Sequence, residues 1–376
     1  MDKVSFFSAN YRDGRVHIGG KSYPAGTFAM NLLNQYYEND TAARIAVFKQ
    51  YNWAVIKKLE QGYINPADFV KCKQEISNIL KTLPILKPFS MLNTNKERNR
   101  ITELFTKNNA YFILDYLRQK AEVVQRDNDE LALELVPNNY DKDLFQQAAN
   151  LLSDVIATLT FYDNLSVDMR KAFEGLTAFV SRIDEAERFD ESHFLPIATE
   201  IFEQEPFPIK TEYVAMPKTS RSKELVTARR LYFESYYSFI ITDFFEGLHN
   251  GHYPRQCGIC KKYFLMQSAA RQKYCTGYAP FKVKGKAITC RKYAARINRR
   301  EYAENNPLVR IYKNRCSAIR MEKKRGTITE EFANTALIVA QNNFGRAKND
   351  PEYANSQYET DMSREKLYKD TDNEMK

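Results

Sequence analysis

The chain has 376 residues, 43% hydrophobic and 13% aromatic, with 56 Lys and Arg against 47 Asp and Glu. That length suits two or three domains, and the apolar content excludes a globally disordered chain. No apolar run is long enough for a transmembrane helix, and Met1-Asp2-Lys3-Val4-Ser5-Phe6-Phe7 lacks the core of a signal peptide. A cytoplasmic protein in a reducing compartment, with no membrane partner, is therefore expected.

The start reads as a β-hairpin, Val4 to Tyr11 and Arg15 to Ile18 around Asp13-Gly14. Gly19-Gly20 and Pro24 punctuate its exit, with no Lys-Ser/Thr pattern of a phosphate loop. Helical spacing begins near Thr27 with Phe28, Leu32, Leu33, Tyr36 and Tyr37. A second helix is predicted from Thr41 to Leu59. A third follows Pro66, carrying Phe69, Cys72, Ile76, Ile79 and Leu80, which makes Cys72 a core thiol.

Further helices are predicted at about 98–125, 141–160, 166–185 and 186–204, with 131–137 a short strand or helix end. His193, with no cysteine nearby, reads as a structural histidine. Ile209 to Met216, bounded by prolines, reads as extended. One long helix is then predicted from Lys223 to Leu248, its aromatic stripe of Tyr232, Tyr236, Phe239, Phe244 and Phe245 being core. Asn250-Gly251 stops it.

The strongest chemical signal follows. Cys257-Gly258-Ile259-Cys260 places two thiols two residues apart; fourteen residues separate Cys260 from Cys275, and fourteen more separate Cys275 from Cys290. A tight turn aims two thiolates at one ion, and two more complete a tetrahedron, so Cys257, Cys260, Cys275 and Cys290 read as ligands of a structural Zn2+. The alternative is four ordinary buried thiols. Lys261 to Met266 fits a strand leaving the turn, and Gln272 to Tyr274 a strand returning. Thr276 to Thr289 reads as an insert that loops out. Cys290 opens a helix, where the dipole favours a thiolate.

The charge is lopsided. Between Gly251 and Arg325 there are 20 Lys and Arg against 3 Asp and Glu. Such a segment attracts polyanions. Lys261, Lys262, Arg271 and Lys273 near the turn, and Arg291, Lys292, Arg296, Arg299 and Arg300 on the helix, are the expected nucleic-acid contacts, dominated by phosphate. Pro307 suits a first helical position in the next helix, whose inner side includes Ile311, Cys316 and Ile319. Thr327-Ile-Thr-Glu330 fits a capping box, opening a helix to Asn343 with Gly345 as its stop. The tail from Asn349 reads as loosely held, with one marginal helix after Ser363.

The expected fold is mainly α. An N-terminal hairpin and helical body (1–250) precede a small treble-clef-like zinc module with a basic helix (251–305), then C-terminal helices and an acidic tail (306–376).

The run Cys257-Gly-x-Cys260-x-x-Tyr-Phe264, Tyr274-Cys275, Thr289-Cys290-Arg291, Ala294-Ala295 resembles an uncharacterised bacterial family known as a domain of unknown function (DUF6076), over about 230–345. It is more distantly similar to CGNR-type zinc fingers of bacterial proteins thought to be transcriptional regulators. In those the last two cysteines lie closer together and an Asn-Arg pair follows; here Arg291-Lys292 follows. Neither family supplies a catalytic residue.

The expected function is nucleic-acid binding through a zinc-held basic module, with transcriptional regulation as one form of it. The competing reading is a protein-interaction scaffold with a purely structural zinc. A metal-dependent nuclease is hinted at only by His249-Asn-Gly-His252. Four cysteines close the metal, and catalytic metals need open positions, so no enzyme is expected.

Overall fold

The computed structural model describes residues 7–50, 53–127, 141–184, 190–202, 207–219, 221–266 and 272–376. Arg271, the predicted segment 131–137 and the first residues of the predicted hairpin lie outside them. The chain divides into two compact units, residues 1–273 and 274–376. The division falls inside the cysteine-rich segment that composition alone groups as 251–305. The fold is mainly α, as expected.

In the first unit, β1 (Ser8–Arg12) and β2 (Arg15–Ile18) form the predicted hairpin, with Asp13 and Gly14 both at positive φ in its turn. β3 (Lys21–Pro24) adds a third strand through Gly19-Gly20, also at positive φ. Both two-residue loops suit the right-handed strand twist. The α1 helix (Thr27–Gln35) follows, buried through Phe28, Ala29, Leu32 and Leu33.

The stretch predicted as one helix from Thr41 to Leu59 is α2 (Thr41–Ala46), a 3₁₀ turn (Val47–Gln50) and α3 (Trp53–Glu60). Val47 and Phe48, which open the 3₁₀ turn, favour α-helix weakly. α4 (Pro66–Thr82) buries Phe69, Cys72, Ile76, Ile79 and Leu80 as predicted, and Asn65 caps it. Burial pushes the Cys72 thiol up to about 12.

The predicted helix at 98–125 is two: α5 (Thr94–Leu104) and α6 (Lys107–Asp127). The break comes at Phe105, whose ring is buried against Phe69 and whose backbone leaves helical geometry. Conversely, the two helices predicted at 141–160 and 166–185 are one, α7 (Lys142–Asp184). At 1.5 Å per residue it is about 65 Å long. Its buried row runs through Val155, Leu159, Tyr162, Leu165, Met169, Ala172, Leu176 and Phe179, so packing carries it across the gap between the two predicted helices. α8 (Glu191–Ile201) is capped by Asp190, which also bonds the His193 ring at 2.7 Å. That is the structural role expected for His193.

The largest departure lies at 223–248. β4 (Lys210–Pro217) is the predicted extended piece. Leu225–Tyr232, predicted as helix, is the strand β5 that pairs with it. Only Tyr236–His249 forms the helix α9. β5 also pairs with β1, Asn10 facing Arg230 and Ser8 facing Tyr232. The result is an antiparallel sheet of order β3-β2-β1-β5-β4. Its central pairing joins segments more than two hundred residues apart, which local spacing cannot show. One face buries Ala9, Tyr11, Val16, Ile18 and Leu231. The aromatic stripe of α9 is core, Phe239 lying 4.8 Å from the Phe7 ring and 5.2 Å from that of Phe28.

β6 (Tyr253–Gln256) and β7 (Tyr263–Met266) close this unit. In the second, β8 (Tyr278–Val283) and β9 (Lys286–Thr289) form a hairpin, followed by α10 (Cys290–Glu304), α11 (Pro307–Arg325), α12 (Glu330–Asn349), α13 (Pro351–Ser356), α14 (Tyr358–Asp361) and α15 (Arg364–Glu374). The segment expected to loop out is thus a strand pair, with Lys284 and Gly285 at positive φ in its turn.

Thr329, not Thr327, caps α12, accepting from the Phe332 N–H. Thr327 bonds the Glu322 carbonyl and belongs to the end of α11. α12 also runs through Gly345 to Asn349, because Ala347 is buried beyond it. The tail is not loose. Tyr353, Tyr358, Met362 and Leu367 are buried in one cluster with Cys316, Ile319, Ala336 and Ala340. Cys316 is the core thiol expected.

Candidate metal centre

The ligand atoms of Cys257, Cys260, Cys275 and Cys290 all lie within 4.8 Å of one another. A tetrahedron with sulfur about 2.3 Å from its centre has edges of about 3.8 Å. Four sulfurs in that range and no oxygen or nitrogen donor in the set make a closed site suited to a soft, tetrahedral ion. Cys257 and Cys290 are fully buried, and Cys260 and Cys275 half-buried.

The first two thiols sit in the turn between β6 and β7. The Cys257 N–H donates to the Lys262 carbonyl at 2.9 Å, and the Lys261 N–H to the Cys257 carbonyl at 3.0 Å. Closing the turn so tightly puts Lys261 at φ 61, the left-handed region that costs a β-carbon-bearing residue about 1–2 kcal/mol. The Gly258 N–H donates to the Lys273 carbonyl, fixing the approach of residue 273. The strand predicted to return at 272–274 is absent; β7 pairs instead with β6, Gln256 facing Tyr263.

Two residues the sequence reading missed hold this turn in place. Asn34 of α1 mimics a strand: its Nδ2 donates to the Tyr263 carbonyl at 2.9 Å, and its Oδ1 accepts the Tyr263 N–H at 2.8 Å. Arg255, buried on β6, donates to the Gln272 carbonyl at 3.3 Å. A single Asn in an amphipathic helix carries no local signal of such a role.

Cys290 is the first residue of α10, as expected, and Thr289 caps the helix. Its N–H donates to the Gly277 carbonyl at 2.8 Å. Arg291 Nε donates to the Tyr274 carbonyl at 3.3 Å, so part of its charge is used beside Cys275. Lys292, Arg296, Arg299 and Arg300 are all exposed on α10, while Ala294 is buried and Tyr293 packs on Phe281. Arg300 pairs with Glu304 at 2.7 Å. Among the other expected contacts, Lys261 and Lys273 are exposed and Lys262 pairs with Glu38 at 3.2 Å.

The histidines that hinted at a nuclease are elsewhere engaged. His252 Nδ1 lies 3.0 Å from the Ala25 carbonyl, and His249 lies 3.5 Å from Glu191. Neither is in the sulfur cluster.

A strand-turn pair, a hairpin and a helix start thus bring four cysteines together in a cluster that could hold one metal ion. Residues 204–374 match the model of a family of unknown function (DUF6076). The match runs further at both ends than the motif does, taking in β4, β5 and the packed tail helices. No curated protein and no solved structure matches the chain.

No helix among the described residues is long and apolar enough to cross a membrane.

Proposed function

We propose that the chain binds nucleic acid, with a structural Zn2+ on the four cysteines holding a cationic helix ready for phosphate. One observation carries this reading. α10 starts at Cys290, one of the four clustered cysteines, and exposes Lys292, Arg296, Arg299 and Arg300. Metal ligation fixes the start of the helix, and the dipole of its first turn favours the Cys290 thiolate. The helix then offers several cations without first being ordered by its ligand, which lowers the entropy cost of binding. Phosphate contacts of this kind position a protein without reading sequence.

The test is a titration of the zinc-loaded protein against duplex and single-stranded oligonucleotides at several salt concentrations. The logarithm of affinity should fall linearly with the logarithm of salt. Replacing Arg296, Arg299 and Arg300 together by Gln should reduce that slope by about 2 to 3. An unchanged slope removes α10 from the interface. No binding to either oligonucleotide at moderate salt, with capture of a defined protein partner, favours the scaffold reading.

A further inference from the structure

The face of the five-stranded sheet opposite the core holds a second cationic site. Residues Ser8, Asn10 and Arg12 of β1, Arg15 and His17 of β2, and Arg230 of β5 line a groove of about 730 Å3 there. Lys21, Ser22 and Lys218 rim it. That volume is within the ordinary range for a small-molecule site.

The strand register assembles the charge. Arg12 and Arg15 are direct cross-strand partners, as are Asn10 and His17, and Asn10 and Arg230. Like charges directly opposite disfavour a sheet pairing, and an anion near both relieves it. The carboxylates nearby only partly supply one. Asp13 meets Arg12 at 3.1 Å, Glu212 meets Arg230 at 3.0 Å, and Glu224 meets Lys218 at 3.1 Å.

Arg15 and Lys21 have no carboxylate partner among the described residues. The guanidinium of Arg15 donates only to Ser22, to its Oγ at 2.8 Å and its carbonyl at 3.2 Å. Arg12 is largely covered and clamps the Pro217 and Lys218 carbonyls, so it contributes field rather than free donors.

A second observation is independent of that count. His17 Nε2 is closed off from solvent and meets no hydrogen-bond partner. A buried polar atom without a partner is unusual in a folded chain and marks this floor of the groove as unsatisfied by the sheet itself. Burial, then the nearby Arg12 and Arg15, push the His17 pKa down.

We propose that this groove binds a phosphate-bearing small molecule of nucleotide size, with Arg15 and Lys21 as its principal contacts and His17 on its floor. The site is distinct from the cationic face of α10 and does not depend on it.

The experiment is calorimetric titration of the full-length, zinc-loaded protein with inorganic pyrophosphate and with ATP at physiological ionic strength. Saturable binding of either probe is expected. Arg15→Gln with Lys21→Gln should weaken it about tenfold or more. Lys81→Gln with Lys107→Gln removes the same charge from exposed positions on other helices and should leave affinity unchanged.

Lys21→Gln alone, at an exposed position, should weaken binding at least threefold and keeps the test decisive if the double variant misfolds. Absence of saturable binding overturns the proposal, as does equal loss in the Lys81 and Lys107 control. A single-stranded oligonucleotide that binds and is lost with Arg15→Gln/Lys21→Gln, while pyrophosphate and ATP do not bind, overturns it in favour of a polymer.

Discussion

Lys261 shows how one residue reports the demand of a metal turn. Its left-handed backbone is forced by the two hydrogen bonds that close the turn. Glycine adopts that geometry without steric cost but loses more freedom on folding. Lys261→Gly should therefore leave the fold equally stable or raise its stability by up to about 1 kcal/mol, read by chemical denaturation. If the Lys261 charge also meets phosphate, the same variant will bind oligonucleotides more weakly.

Cys275→Ser should abolish stoichiometric zinc by elemental analysis, because a hydroxyl at that position does not replace a thiolate. Equal zinc in both proteins would remove the assigned centre.

Asp243 is a second informative residue. It lies on α9 yet caps α1, accepting the Phe28 N–H at 2.7 Å and the Ala29 N–H at 3.2 Å. Burial pushes its carboxyl up to about 7. The folded chain thus holds a proton that the unfolded chain gives up near pH 4. Its stabilising contribution is complete below about pH 4 and is lost as pH rises through about 7. Asp243→Asn cannot titrate, so its Tm relative to the parent should improve between pH 5 and pH 8. A pH-independent difference would show that the carboxyl is not raised.

At the scale of elements, the outcome separates local chemistry from packing. The first hairpin, α4, Pro307 at the start of α11, and the four-cysteine spacing were legible because each rests on residues near one another in the chain. β5 was not, because Leu225–Tyr232 contains helix-tolerant Leu, Ala and Arg and takes its shape from β1 and β4 on either side. The β8–β9 hairpin was hidden by Pro280 and by strands too exposed to alternate clearly.

The tail was hidden by its acidic composition, which masked Tyr353, Tyr358, Met362 and Leu367. Tyr358 is fully buried and its hydroxyl donates to the Leu308 carbonyl at 3.0 Å. Tyr358→Ala should cost about 3–5 kcal/mol, measured by denaturant unfolding, whereas a dangling tail would lose almost nothing. Asn34→Ala should likewise lower apparent zinc affinity in a chelator competition, since it frees the edge of β7.

For the whole molecule, the basic charge and the four clustered cysteines fall in the same segment. Chelation should unfold the cysteine module while the large core of the first unit survives, seen as loss of the cooperative transition for one part of the chain only. Oligonucleotide binding should vanish with the metal and return when zinc is restored.

The sheet order has its own consequence for synthesis. β1 lies between β2 and β5, yet β5 follows it by more than two hundred residues. At roughly 5–20 residues per second, a ribosome leaves one ladder of β1 unsatisfied for on the order of ten to forty seconds. An open edge invites wrong pairing during that interval. Native yield in a producing cell should therefore track elongation speed through the codons before 232, and improve when a holding chaperone is abundant.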